Sequence, residues 1–213
     1  MERHLLRSLP ALVLAATVLY TISVYPELPA RMPTHFGING QPNGWSSREF
    51  GAWILPAVMA LLWALSAVLP MIDPRKANYE KFGVTYHLAI TAIIAFQGVI
   101  QWAVLNVALG RPVNINTVIY VSLGALFAVL GVAMPFTKPT TFFGVRTKWT
   151  LSDDTVWART HKTAGLLMVV AGVLTVYSAL TATPQITFMI MVTATMAAAI
   201  GSVLISYVYW RQR

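Results

Sequence analysis

The chain has 213 residues, of which 57% are hydrophobic and only 10% charged, against about a quarter charged in soluble proteins. At roughly 20 apolar residues per membrane crossing, this composition excludes an ordinary soluble protein and makes about six spans with little left for extramembrane domains. The absence of cysteine excludes disulfides, thiolate metal sites and cysteine nucleophiles, while a net charge of +8 points to nucleic acid or to membrane topology according to where it sits.

In chain order, hydropathy predicts spans over residues 5–24, 52–72, 84–109, 117–134, 163–180 and 186–209. The first is followed by Pro26, Glu27 and Pro29 without a small-x-small cleavage site, so it reads as an uncleaved anchor. With the N-terminus inside, 12 of the 15 Lys and Arg fall in the inner segments, leaving Arg31, Arg48 and Arg111 outside. That bias predicts both termini to be cytoplasmic. It also removes nucleic acid as a direct partner, because the charge spreads over short juxtamembrane pieces and forms no basic domain.

Two long connections stand out, 25–51 outside and 135–162 inside. In the outer loop the prolines exclude helix, Pro42-Asn43-Gly44 predicts a tight turn, and Leu28, Phe36 and Trp45 give an apolar side. The expectation is a compact cap that packs on the helix ends or meets a ligand, with His35, Phe36 and Trp45 as candidate contacts. The third span carries His87, Thr91, Gly98 and Gln101 on one face with Gln97 beside it, predicting either interhelical hydrogen bonds or a polar cavity. Ala164, Ala171, Thr175 and Ser178 in the fifth span and Ala198, Ser202 and Ser206 in the sixth predict packing seams. His4, His35, His87 and His161 lack a metal-ligand spacing, so no metal and no cofactor is expected; Asp153 or Asp154 would have to approach His87 and His161 to build even a weak site.

In the inner loop, Ser152 or Thr150 is the expected cap of a helix with Asp153 and Asp154 in its first turn, and Val156, Trp157, Thr160, His161 and Ala164 share a face of it. This helix either lies along the membrane or leads into the fifth span. Trp149 and Trp157 fit an interfacial belt. Arg146 and Lys148, flanked by aromatics, suit lipid headgroups or the carboxylates of a cytoplasmic partner.

The run Phe143-Gly144-Val145-Arg146-Thr147-Lys148-Trp149-Thr150-Leu151-Ser152, followed by Val156-Trp157 and Thr160-His161-Lys162, resembles the signature of the SdpI family of bacterial membrane proteins. The outer residues Leu28-Pro29, Pro33, His35-Phe36, Gly40, Pro42 and Trp45 are similar to the N-terminal domain of unknown function that precedes it in longer members. The resemblance implies a six-helix inner-membrane protein that protects its producer from a secreted antibacterial peptide toxin and, in some members, signals by recruiting a repressor to the membrane. The family-matching inner residues are Phe143, Gly144, Arg146, Thr147, Trp149, Thr150, Leu151, Trp157, Thr160 and His161.

The expectation is therefore an all-α, polytopic protein of the bacterial cytoplasmic membrane: a two-span unit over 1–83 with an ordered outer loop, and an SdpI-like four-span unit over 84–213 with the signature loop on the cytoplasmic side. Its expected role is non-enzymatic binding and immunity, its partners the bilayer, a peptide toxin outside and a repressor inside. The competing expectations are a small-molecule or lipid transporter using His87, Thr91, Gln97 and Gln101, and an intramembrane metal-dependent enzyme using His87, His161 and the Asp153 and Asp154 pair.

Overall fold

The computed structural model describes residues 2–213, with side chains from Leu6 onward, so Arg3 and His4 lie outside the described side chains. Six long helices are apolar enough to cross a membrane: α1 (Glu2–Val24), α2 (Arg48–Ile72), α4 (Gly83–Ala108), α5 (Ile115–Ala133), α7 (Asp154–Thr181) and α8 (Pro184–Arg211). Two short helices, α3 (Ala77–Lys81) and α6 (Lys148–Ser152), lie between them. Within the described spans, charges are confined to the end regions, at Arg7, Glu27, Arg48, Glu49, Asp154, Arg159, Lys162 and Arg211. An even number of crossings brings both termini to one end of the bundle, together with the 73–82 and 137–153 connections.

Several helices start where a side chain satisfies free backbone donors. Ser47 accepts from Phe50 N to open α2, Asn114 from Thr117 N to open α5, and Thr183, followed by Pro184, from Ile186 N to open α8. Pro10, Pro56 and Pro70 sit inside α1 and α2, which is tolerable where neighbouring helices re-satisfy the freed carbonyls.

The architecture is mostly helical but not all-α. Residues Arg31–Phe36 (β1) and Pro42–Ser47 (β2) form an antiparallel hairpin at the end of the bundle remote from the termini. Its turn is not at Pro42-Asn43-Gly44. The chain reverses at Gly37 to Gln41, where Gly37 N donates to Gln41 O at 2.9 Å and Gly40 takes φ +77°. The sequence offers two Asn-Gly pairs, and only the first supplies the left-handed corner. Gly44 instead lies in β2 opposite His35, where a Cβ would fall 2.8 Å from the His35 Cβ. The hairpin is seated by Met32, fully buried with Val24, Leu28, Ala52, Val104 and Leu105, and by Asn116 Nδ2 donating to Ile38 O at 2.8 Å.

Helices α1 and α2 pack on α4, α5 packs on α7, α7 on α8, and α4 also meets α5. Between α5 and α7 the helices meet through glycine: a Cβ on Gly124 would lie 2.7 Å from Gly172 O, and one on Gly131 would lie 2.6 Å from Gly165 O. Ala164, Ala171, Thr175 and Ser178 on α7 and Ala198, Ser202 and Ser206 on α8 are buried, as packing seams require.

Candidate functional site

The connection from α5 to α7 leaves the bundle at Thr137 and folds back onto it, pinned at three places. The first is Asp73, in the connection after α2. Its carboxylate is 2% exposed and accepts from Arg75 N at 2.8 Å, Thr141 N at 2.8 Å, Thr141 Oγ1 at 3.0 Å and Tyr79 Oη at 3.0 Å. Burial alone would raise this carboxyl, but the four donors outweigh it and hold it below the usual carboxylate range. Burial, with the adjacent Asp73, pushes the Tyr79 phenol up to about 12, so it remains a donor. Asn78 Nδ2 adds a bond to Pro139 O at 2.7 Å, and Arg75 Nη2 one to Leu151 O at 2.6 Å.

The second pin is His161, fully buried on α7. Its Nε2 accepts from Val145 N at 2.9 Å, which leaves the proton on Nδ1, donated to Trp157 O at 2.9 Å. The ring stacks on Trp157 at 3.9 Å between centroids. Gly144 passes over this pair with φ +104°, and a Cβ there would collide with His161 Nε2 and lie 2.9 Å from the Trp157 ring. The third pin is the start of α6. Thr147 caps it in a reciprocal arrangement with Thr150, Thr150 Oγ1 donates to Val145 O at 2.7 Å, and Thr147 Oγ1 meets Ser206 Oγ of α8 at 3.0 Å. Around the loop, Phe143 joins Tyr79, Phe82 and Tyr86 in an aromatic cluster with centroids 5.2–6.2 Å apart.

Several sequence expectations change here. The cap of α7 is Asp153, which accepts from Thr155 N and Val156 N, whereas Thr150 and Ser152 belong to α6. The Val156 N–H, then the other helix donors and Arg213, hold Asp153 low. Residues 154–162 are the first turns of the fifth span, the second of the two placements expected for this helix, so the inner connection ends at Asp153 rather than at Lys162. Trp157 is 1% exposed and sits in the bundle rather than in a headgroup belt, while Trp149 packs on Tyr207 at 5.0 Å. Thr160 is fully buried too; its hydroxyl and the Trp157 indole N–H find no partner among the described residues. Arg146 is exposed and donates to Thr141 O at 2.8 Å, and Lys148 is exposed with its ammonium 5.4 Å from the Trp149 ring centre. These two cations are exposed on the outer side of the loop, as are Lys138 and Phe142.

The third-span residues divide by depth. Gln101 is fully buried and donates to Ala52 O at 2.8 Å and Thr21 Oγ1 at 3.3 Å, joining α4 to α2 and α1. Thr91 bonds to His87 O of its own helix, Gln97 is buried, and His87 lies near the termini end beside Tyr86. His161 has both ring nitrogens engaged and Asp153 is committed to the α7 N-terminus, so the approach of Asp153 or Asp154 to His87 and His161 is not formed. Among the described residues, no group of three or more His, Asp or Glu is placed to hold a metal ion.

At the hairpin end, His35 Nδ1 pairs with Asn43 Oδ1, His35 is exposed, and Trp45 is 50% exposed. Phe36 instead turns toward the buried cluster beneath the hairpin. The candidate residues therefore occupy opposite ends of the bundle.

Comparison with known proteins reports on both ends. Residues 136–209 match the SdpI/YfhL protein family and residues 12–60 match a domain of unknown function, DUF1648. The chain is 27% identical to the "Immunity protein SdpI" of Bacillus subtilis (strain 168) over 202 residues, covering 94% of each chain. It is 40% identical over 58 residues to an uncharacterized protein of Archaeoglobus fulgidus, covering 27% of this chain and 31% of that one. No solved structure matches.

Proposed function

Because the chain belongs to the SdpI/YfhL family, with a DUF1648 segment preceding the family segment, we propose that it is a non-enzymatic immunity protein of the bacterial cytoplasmic membrane, protecting its host from a secreted antibacterial peptide toxin. The observation that carries this is likeness to an immunity protein along 94% of both chains, through the hairpin and the pinned loop alike. In this reading the hairpin faces outward and His35 and Trp45, the exposed members of that cap, meet the toxin; Phe36 holds the cap in place. The pinned loop faces the cytoplasm, where Arg146 and Lys148 present a cationic edge to a repressor. Both termini are then cytoplasmic, in agreement with the distribution of Lys and Arg.

A toxin that binds outside and a regulator that binds inside are coupled only if the bundle has two arrangements that each partner prefers differently. The α4 helix, which supports the hairpin at one end and the Phe143 cluster at the other, is the element that spans both.

The test is survival of a host strain lacking this protein in conditioned medium from a dense wild-type culture shown to contain active toxin. Selective death rescued by the intact gene, and not by His35→Ala with Trp45→Ala at equal membrane abundance, is the expected result. Equal growth of all strains removes the immunity role. Loss of repressor recruitment with retained protection in Arg146→Ala with Lys148→Ala is the separate expectation for the inner edge.

A further inference from the structure

At the termini end, between α1, α2 and the α3–α4 region, lies a cavity of about 790 Å³. Its polar rim holds Arg7, Lys81, Lys138 and His87, against one carboxylate, Glu80. Among the described residues, none of the three cations pairs with a carboxylate. A second cavity, about 500 Å³ and almost wholly apolar, continues from it between α4 and α5, with Thr85 and Phe136 in both walls. Its other walls include Leu88, Val129 and Val132, which are 44%, 48% and 62% exposed and so face the hydrocarbon. Unpaired cations at headgroup depth therefore stand directly over an apolar groove that opens sideways into the membrane.

We infer that this pair of cavities binds an anionic phospholipid from the leaflet at the termini end, its phosphate among Arg7, Lys81, Lys138 and His87 and one acyl chain along the groove between α4 and α5. Charge selects the headgroup, since each Lys or Arg near the surface favours an anionic lipid over a neutral one. The groove selects a chain-bearing molecule over a free phosphate, because burying methylenes supplies the rest of the affinity. Tyr79 belongs both to this cavity wall and to the Asp73 clamp, so the bound lipid abuts the anchored loop. This site is independent of the immunity proposal, which concerns the hairpin and the Arg146 edge.

The experiment is native mass spectrometry of the purified full chain, exchanged in detergent against equimolar phosphatidylglycerol and phosphatidylcholine. The expected result is one preferentially retained phosphatidylglycerol. Lys81→Gln with Lys138→Gln should weaken that retention roughly tenfold or more, whereas Lys81→Arg with Lys138→Arg should preserve it. Val132→Trp, which fills the groove from its exposed side, should displace the lipid, and glycerol phosphate at the same concentration should not compete. A matching lipid-free thermal midpoint shows that each variant is folded. Equal retention of the two lipids, retention unchanged by Lys81→Gln with Lys138→Gln, or displacement by glycerol phosphate would each overturn the inference, the last by making the ligand a soluble phosphate.

Discussion

Gly144 occupies a backbone region that costs a side-chain-bearing residue about 1–3 kcal/mol, and a methyl there would also strike the His161 and Trp157 rings. Gly144→Ala should therefore release the inner loop from α7 and lower the thermal midpoint in detergent by roughly 3–10 °C. The same release should appear as faster hydrogen exchange at Val145 N, whose acceptor is His161. Asp73 makes a prediction in pH. Its folded carboxyl is held below its ordinary value, so its contribution is complete above the unfolded value near 4 and is lost as pH falls through the lower folded value. The amide of Thr141 should stay protected down to about pH 4 and lose protection only in stronger acid, whereas Asp73→Asn should leave it weakly protected throughout. The signature residues around Gly144 were legible because their order and spacing carry a resemblance. Asp73 was not, because a single carboxylate before Pro74 in a basic connection reads as a balancing charge until Thr141, 68 positions away, is seen against it.

The six spans were legible to within a few residues at most ends, since apolar length is a property of composition alone. Capping extended α2 and α7 beyond the apolar windows: Ser47 and Asp153 open those helices within polar sequence. The hairpin was legible as an ordered, non-helical cap but not as strands, because its true turn competes with a second Asn-Gly pair and Pro42 obscured the difference. The glycine contacts went unread for another reason. The expected seams lay on the fifth and sixth spans, whereas the closest approach pairs Gly124 and Gly131 on α5, a span given no seam, with Gly172 and Gly165 on α7 at a spacing of seven, two helical turns. Gly131→Ala should force α5 from α7 and cost about 1–3 kcal/mol, as overpacking of a close interface does. Gly201→Ala, whose methyl would meet only the flexible end of Leu167 at 3.3 Å, is the matched control and should shift the midpoint little.

For the whole molecule, the absence of cysteine makes orientation directly measurable. With the termini inside, Asn39→Cys in the hairpin turn should react with a membrane-impermeant thiol reagent in intact cells, and Ser152→Cys beside the inner loop only after lysis; the reverse pattern would invert the bundle. The polar face of α4, legible as a stripe, divides in the structure into a buried Gln101 cross-link worth about 0.6–2 kcal/mol per bond and a His87 at a cavity rim. Helical periodicity assigns residues to a side, whereas depth along the axis depends on the partners that each turn meets.

The confinement of charge to the ends of the described spans also has an electrical consequence. Moving one elementary charge through the full field of a membrane changes its energy by about 2.3 kcal/mol per 100 mV. A rearrangement of the uncharged middle of this bundle, such as the proposed coupling between its two faces requires, would carry almost no such gating charge and would be nearly blind to voltage. On the proposed coupling, collapse of the membrane potential should therefore leave the response to a bound partner unchanged.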